Sequence, residues 1–203
     1  MIEAAVAAIR AGKPVVFPAD TVYGLGTTPY LPEPVERLAR LKGRDVFQPT
    51  ALMAADVDIL FECVPELRGR PGKIVSALLP GPYTLVLPNP GRRYHWMTGT
   101  RPDTIGVRVP ELSGPGAELL ARVGAVAATS ANVHGGGDAR RLDDVPEEIR
   151  KACAAVVDGG ELPGTASTVI DFTGAEPVVL REGAAPSSEA LELVRELGRV
   201  PST

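Results

Sequence analysis

The segment PVVFPADTVYGLG (14–26) places an apolar run directly before a polar, glycine-containing stretch. Its first part, PVVFP (14–18), is short and apolar, which is typical of a buried strand. The rest, ADTVYGLG (19–26), mixes glycine with polar residues and predicts a turn. Ligands of α/β proteins tend to bind beyond the ends of strands. The segment therefore predicts a buried strand whose end could open onto a ligand site.

Helix-like and strand-like segments alternate outward from this point along the chain. Helical spacing of apolar residues predicts helices over 2–12, 32–43, 71–81, 114–124, 146–152 and 187–198. Short apolar runs predict strands over 49–53, 83–88, 104–110, 125–130, 154–160, 167–172 and 177–183. The polar, glycine-rich segment 133–144 predicts a mobile loop. With no repeat and no break in composition, we expect one α/β domain over residues 1–203, with a mixed sheet.

The composition is that of a globular chain with an acidic balance. Hydrophobic residues make up 44% of the 203 positions, and the net charge is −4. This charge argues against a protein that coats nucleic acid, while leaving room for a local basic pocket. Residues 1–14 do not resemble a signal peptide, and no stretch approaches the ~20 apolar residues of a membrane helix. We expect a cytoplasmic protein in which Cys63 and Cys153 are reduced, with a disulfide as the alternative.

Familiar catalytic and nucleotide-binding motifs do not decide the function. The chain has no Walker A sequence, no GxGxxG and no HExxH. Its two histidines, His95 and His134, are too few and too separated for a typical metal cluster. The serines of GTAST (164–168) and ATSAN (128–132) lack the GxSxG context, so a Ser–His–Asp triad has little support.

Polar side chains recur at the ends of the predicted elements. Thr104 and Arg108 lie four apart on one predicted strand, and hence on one face of it. Cations, hydroxyls and amides that converge at strand ends would suit an anionic ligand such as a nucleoside triphosphate. Each residue also has an ordinary alternative role, as a helix-end cation or a turn hydroxyl. The candidates are Thr21, Lys42, Arg44, Thr104, Arg108, Ser130, Asn132, Ser167, Thr168 and Arg181.

Eight segments resemble, in order and in approximate spacing, the motifs of the YrdC-like threonylcarbamoyl-AMP synthase family. They are FPADTVYGLG (17–26), LKGR (41–44), LPGPYTLVL (79–87), TIGVRVP (104–110), ATSAN (128–132), VVDGG (156–160), ASTVID (166–171) and VLREGA (179–184). The resemblance runs from about residue 5 to residue 195. It implies the short, single-domain form of a YrdC-like fold, in which a twisted mixed sheet flanked by helices carries an open concave ligand site.

The resemblance also implies an activity and a set of binding residues. The enzyme would be a nucleotidyltransferase that condenses L-threonine, bicarbonate and ATP into threonylcarbamoyl-AMP for a downstream tRNA threonylcarbamoyltransferase; a contact with tRNA or other RNA is a further expectation. No catalytic side chain and no protein metal ligand is expected, and Mg²⁺ would be held by ATP phosphates and water. The implied ATP-binding residues are Lys42, Arg44, Gln48, Thr104, Ser130, Asn132 and Arg181. The implied threonine-binding residues are Thr21, Met53, Arg108, Ala128 and Ser167.

Three departures from the family pattern bear on this expectation. Asp45 stands where the family usually has proline, and Gln48 where it has asparagine. Met53 occupies a position that often carries a histidine near threonine, which leaves the amino-acid specificity open. The segment 133–144 replaces a family loop that contacts the nucleotide.

Three other functions therefore stay open at this point. One is a paralogue that binds ATP but uses another acceptor. Another is an RNA-binding module with a basic concave surface, which the net charge of −4 weakens. The last is a carbamoyl-transfer module of the type that is fused to larger enzymes.

Overall fold

The computed structural model describes residues 1–45, 47–133 and 135–199. Within these ranges the chain forms seven α-helices and nine strands. The helices are α1 (Ile2–Arg10), α2 (Pro32–Leu41), α3 (Val57–Cys63), α4 (Arg70–Leu78), α5 (Gly114–Val123), α6 (Glu147–Ala152) and α7 (Ser187–Arg199). The strands are β1 (Val15–Pro18), β2 (Tyr23–Thr27), β3 (Ala51–Ala54), β4 (Tyr83–Pro88), β5 (Thr104–Arg108), β6 (Ala125–Ser130), β7 (Ala155–Val156), β8 (Thr168–Asp171) and β9 (Val178–Arg181). Short 3-10 helices occupy Pro65–Arg68, His95–Met97 and Leu142–Asp144.

These nine strands hydrogen-bond into one sheet in the order β7-β1-β2-β6-β3-β5-β4-β8-β9. Three neighbouring pairs, β1/β7, β3/β5 and β4/β8, are parallel. The remaining neighbours are antiparallel. The predicted α/β class with a mixed sheet flanked by helices is thus confirmed.

One face of the sheet is covered by helices along most of its width. Leu52, Leu85 and Val107 point from the central strands into a core formed with α2, α3, α4 and α7. The same face continues over β1 and β2 in a smaller cluster, where Tyr23 packs with residues of α2 and α6. Because side chains alternate along a strand, the neighbours of these residues point to the opposite face.

The opposite face is covered only in part. There α1 and α5 pack against β1 and β6, through a core that includes Phe17, Leu119 and Val126. The residues that β4 and β5 present beyond this core, such as Thr84 and Gly106, are small or polar and line a cavity. Part of the sheet is therefore left as an open, concave surface.

The segment that follows β1 contains a strand, where the sequence predicts only a turn. Tyr23–Thr27 pairs antiparallel with β1, with Val15 opposite Gly26. The ring of Phe17 lies over this pairing, since a Cβ on Gly26 would come within 2.8 Å of it. Glycine disfavours strands by its flexibility, which is why the pattern predicts a turn. Here the missing side chain makes room for the ring, and the change of direction is confined to residues 19–22.

The sequence also misses α3, whose seven residues are too few to show a helical period. Asp56 caps this helix, because its Oδ1 accepts a hydrogen bond of 2.7 Å from the backbone N–H of Ile59. The largest difference between the predicted and the observed length of a strand is at 154–160, where only Ala155–Val156 forms a strand.

Two expectations about the whole chain can be compared with the described residues. Cys63 and Cys153 are free thiols, both half-buried, so the alternative of a disulfide between them is wrong. Among the helices that the structure describes, none combines the length and apolar character needed to cross a membrane.

We expect Gly116→Ala to destabilise the fold. Gly116 lies in α5, and a Cβ there would collide with the carbonyl oxygen of Pro18 in β1. Alanine favours helices by about 1 kcal/mol over glycine, but overpacking a buried contact costs about 1–3 kcal/mol, and backbone cannot move aside cheaply. Urea unfolding should show a lower midpoint for Gly116→Ala. Ser76→Ala on the exposed side of α4 is the control and should change stability by less than about 0.5 kcal/mol. An unchanged or raised midpoint for Gly116→Ala would show that α5 does not pack this closely.

Candidate substrate-binding site

A cavity of about 340 Å³ opens on the uncovered part of the sheet. Its floor is built by residues of β3, β4, β5, β6 and β8. Its walls come from Arg44, Pro49 and Thr50, from the segment 98–101, from the bend after β1 and from β9. Met53 and Ala128 belong both to the floor and to the core beneath α1 and α5. The floor is therefore rigid where it adjoins that core.

Eight of the twelve residues predicted for substrate binding line this cavity. They are Arg44, Met53, Thr104, Arg108, Ala128, Ser130, Ser167 and Arg181. They come from six separate parts of the sequence, which the fold brings to one surface. Their roles in binding stay predictions.

The other four predicted residues lie outside the lining. Two of them are Thr21 and Gln48. Thr21 is buried, and its hydroxyl accepts a hydrogen bond of 2.8 Å from Nη2 of Arg108. Gln48 is half-buried, and its backbone N–H donates to the carbonyl of Asp45 at 3.0 Å. Thr21 therefore reaches the cavity through Arg108, whereas nothing in the described contacts turns the Gln48 side chain towards it.

Strand register arranges the predicted residues along the cavity. Thr104 and Arg108 stand at opposite ends of β5, about 13 Å apart at the usual rise of a strand. Met53 is paired with Arg108, so it lies at the Arg108 end. β3 and β6 are antiparallel, with Ala51 opposite Ala128. The C-terminal end of β6 therefore lies on the same side of the cavity as Thr104. Most residues predicted for threonine therefore lie towards the Arg108 end, and most predicted for ATP towards the Thr104 end.

A buried ion pair forms the Arg108 end of the cavity. Nη2 of Arg108 donates to the carboxylate of Asp20, and both side chains are more than 90% buried. Burial raises the pKa of Asp20 and lowers the pKa of Arg108, and for both groups this outweighs their mutual attraction. The positive charge of Arg181 nearby lowers the pKa of Arg108 further. The Nε atom of Arg108 is buried and has no hydrogen-bond partner among the described residues, which is uncommon for a buried donor.

Arg181 and Ser167 form a second contact at this end. Arg181 donates from Nε and Nη2 to the carbonyl of Ser167, at 3.0 and 2.7 Å, and from Nη2 to its hydroxyl at 3.2 Å. The hydroxyls of Ser167 and Thr84 lie 2.8 Å apart and share a hydrogen bond. Arg181, predicted for ATP, thus lies with the threonine candidates rather than with Arg44.

Arg44 stands at the Thr104 end. Its Nη2 donates to the hydroxyl of Thr50 at 2.7 Å, and burial lowers its pKa. Its Nε is buried and, like that of Arg108, has no partner within the described part of the chain. Arg44 and Arg108 thus line opposite ends of the same cavity, and each has one buried N–H that no described protein atom accepts.

Lys42 and Asn132 lie just outside the lining and contact Ser130, which is part of it. Nζ of Lys42 donates to the carbonyl of Ser130, and to Oδ1 of Asn132 at 2.7 Å. The Ser130 hydroxyl donates to the same Oδ1 at 2.7 Å. Burial and the charge of Arg44 lower the pKa of Lys42 to about 8, against an opposing effect of Asp138. Lys42 thus fixes the end of β6 in this structure.

Sequence reasoning missed two ionic residues of the site. Asp20 adjoins Thr21 in the segment that opened the analysis, so its position in that bend was a usable signal. Arg101 lines the cavity wall but lies before the matched motif at 104–110, and no pattern in the sequence marks it.

The sequence model of the Sua5/YciO/YrdC family, described as telomere recombination, matches residues 7–183. The chain belongs to this family. The site lies within the matched region, so its geometry is that of a family member.

Named relatives agree with this assignment. A threonylcarbamoyl-AMP synthase of Pyrococcus abyssi is 35% identical, over 93% of this chain and 56% of the relative. A threonylcarbamoyl-AMP synthase of Pseudomonas syringae is 34% identical, over 86% of this chain and 93% of the relative. The solved structure of Pyrococcus abyssi Sua5 complexed with L-threonine has a TM-score of 0.85 at 34% identity, covering 95% of this chain and 57% of that one. This chain thus spans little more than half of the archaeal relative and most of the bacterial one.

We expect the low pKa of Lys42 to make stability depend on pH. The group titrates near 8 in the folded chain, against 10.5 for the unperturbed side chain. Between these values the unfolded chain binds more protons at Lys42, so stability rises with pH. From pH 7 to 9.5 the unfolding free energy of the wild type should rise relative to that of Lys42→Met, on the order of 1 kcal/mol. Lys73→Met, on the exposed side of α4, is the control. Parallel pH profiles for wild type and Lys42→Met would contradict the lowered pKa.

Proposed function

We propose that this protein is a threonylcarbamoyl-AMP synthase, a nucleotidyltransferase that makes threonylcarbamoyl-AMP and pyrophosphate from L-threonine, bicarbonate or carbon dioxide, and ATP. Family membership and the names of the relatives support this proposal. The relative that was solved with L-threonine supports the choice of acceptor. The product would pass to a tRNA threonylcarbamoyltransferase.

The observation that carries the proposal is the placement of two arginines, Arg44 and Arg108, towards opposite ends of one cavity. Only three buried side-chain nitrogen or oxygen atoms lack a hydrogen-bond partner in the described part of the chain, and two of them are Nε of Arg44 and Nε of Arg108. Buried polar atoms are nearly always hydrogen-bonded, so such exceptions need an explanation. The side chains of Arg44 and Arg108 both line the cavity, and a cation towards each end suits two anionic substrates held side by side.

The Arg108 end suits an amino acid with a small side chain. Arg108 would bind the carboxylate of threonine, while the hydroxyls of Ser167 and Thr84 offer polar contacts. Met53 and Ala128 provide an apolar surface on which a methyl group could rest. The carboxylate would thereby fix the direction of the amine.

The Thr104 end would hold ATP through Arg44 and the hydroxyls of Thr104 and Ser130. The threonine amine takes up carbon dioxide to form a carbamate with loss of a proton, or takes up bicarbonate with loss of water. A carbamate oxygen then attacks the α-phosphorus of ATP, and the bond to pyrophosphate breaks. The chain forms no covalent bond in this scheme; it aligns two anions and neutralises charge, which is where most of the acceleration would come from.

Mg²⁺ would accompany ATP rather than occupy a protein site. The described lining residues include hydroxyls and arginines but no carboxylate. Elsewhere in the described ranges, no group of three histidine, cysteine or acidic side chains is placed to bind a metal. His134 lies outside the described residues. Bound to the phosphates, the ion would neutralise part of their charge.

A second candidate is a family member with the same ATP chemistry and another amino acid as acceptor. Met53 is 4% exposed and lines the cavity, so this part of the floor is apolar. A thioether cannot replace the hydrogen bonds of a histidine. Discrimination between threonine and serine would then depend on one methyl group, worth roughly 1–3 kcal/mol.

We expect the purified protein to release pyrophosphate from ATP only when threonine and bicarbonate are both present. The measurement is coupled pyrophosphate detection, with mass spectrometry of the product for threonine, serine and other amino acids. Release that is greatest with a different amino acid would favour the second candidate. Release that is equal without any amino acid, or absent under all conditions while RNA binds, would reject the synthase.

We expect Arg44→Ala to lower kcat/KM for ATP by about 30-fold or more, because a charge-assisted hydrogen bond to phosphate is worth about 2–3 kcal/mol. Lysine should restore little, since it cannot bind Thr50 and a phosphate with the same fixed geometry. Arg40→Ala, on the exposed side of α2, is the matched control and should retain activity. A lowered melting temperature with normal activity for each folded molecule would instead give Arg44 a structural role.

A further inference from the structure

Arg101 is a cavity residue to which no motif assigns a role. Four arginines contribute to the described lining, namely Arg44, Arg101, Arg108 and Arg181. Three of them were predicted as cations of the site, together with Lys42. In the structure Lys42 is directed away towards Asn132, and Arg101 supplies the fourth cation of the lining.

Two neighbours hold the guanidinium of Arg101 at the wall. Its Nη1 donates to Oδ2 of Asp171 and its Nη2 to the hydroxyl of Thr173, both at 2.7 Å. Asp171 is itself fixed, because its Oδ1 accepts from the backbone N–H of Thr173 at 2.8 Å and from its hydroxyl at 2.5 Å. Burial tends to raise the pKa of Asp171, but the hydrogen bonds of Thr173 and Arg101 outweigh it and lower the pKa. Asp171 is thus an anion that orients Arg101.

The contacts with Asp171 and Thr173 engage only some of the N–H donors of the Arg101 guanidinium. Arginine carries five N–H donors, and these two contacts account for two of them. The Arg101 side chain is 51% exposed, whereas that of Asp171 is 10% exposed. An ion pair as accessible as this contributes little to stability. The arrangement therefore orients a cation that lines the cavity and keeps N–H donors that Asp171 and Thr173 do not engage.

The surroundings of Arg101 place it with Arg44. The segment 47–50, whose Thr50 accepts a hydrogen bond from Arg44, leads into β3. The segment 98–101 leads into β5, and these two strands are parallel neighbours. The two segments accordingly lie at the same edge of the sheet, and the N–H of Thr50 donates to the carbonyl of Met97 at 2.8 Å. Thr98 and Thr100 add hydroxyls to the same wall.

We infer that Arg101 binds the triphosphate of ATP, together with Arg44, and holds the pyrophosphate as it leaves. The inference deepens the proposed function and rests on it. Asp171 and Thr173 act as positioning residues for the guanidinium. The ligand class is a polyphosphate, whose oxygens would accept the N–H groups that the protein leaves free.

The test compares Arg101→Ala, Arg101→Lys and Arg92→Asn. Arg92 is exposed and outside the lining, and asparagine tolerates its left-handed backbone (φ 48°). For each protein one measures KM for ATP, KM for threonine, the melting temperature and, by calorimetry, the affinity for inorganic pyrophosphate. We expect Arg101→Ala to raise KM for ATP and to weaken pyrophosphate binding by about fivefold to twentyfold. KM for threonine should stay within about twofold, lysine should restore part of the loss, and Arg92→Asn should match the wild type.

Two results would overturn the inference. One is an unchanged affinity of Arg101→Ala for both ATP and pyrophosphate. The other is an equal loss towards ATP and threonine together with a lower melting temperature, which would make Arg101 a structural residue. A wild type that binds pyrophosphate but releases none from ATP would overturn the proposed function alone, because the binding measurement still tests Arg101.

Discussion

The ion pair between Asp20 and Arg108 joins the first hairpin to the centre of the sheet. Asp20 lies in the bend between β1 and β2, whereas Arg108 ends β5, and the two are separated by 88 positions in the chain. Burying both charges is unfavourable for each, and the directions of their pKa changes reflect this. Leaving one of them without the other would be more unfavourable still, on the order of 3–5 kcal/mol. The bend, the end of β5 and the cavity between them are therefore held in one arrangement.

This arrangement requires a sheet that is covered unequally on its two faces. A fully covered second face would bury the arginines with no room for an anion. The partial cover by α1 and α5 instead lets Met53 and Ala128 stabilise the floor from one side while the lining stays accessible. Small residues on the uncovered strands, such as Gly106, leave space above the sheet in which a substrate can lie.

The four arginines of the cavity share one mode of support. Each donates to the hydroxyl of a nearby serine or threonine, at distances between 2.7 and 3.2 Å; these hydroxyls belong to Thr50, Thr173, Thr21 and Ser167. A hydroxyl fixes the direction of a guanidinium without cancelling its charge, which a carboxylate would do in part. The site can thus be rigid before substrates arrive and still attract anions. Carboxylates assist only at Arg101 and Arg108 among the contacts described.

The sequence by itself determined the α/β class, nearly all helices and strands, and eight residues that meet in one cavity. It could do so because apolar periodicity and strand-end polar residues are local signals, and because the family resemblance added Met53 and Ala128 to the predicted residues. It misjudged β2 because the glycines there serve a contact with Phe17, and it missed α3 because one short helix has no period to detect. Only the tertiary structure decided that Lys42 turns to Asn132, that Arg181 stands beside Ser167, and that Asp20 and Arg101 belong to the site. These outcomes depend on which strands become neighbours and on which donors remain unpaired, and such relations between distant residues have no local pattern in the sequence.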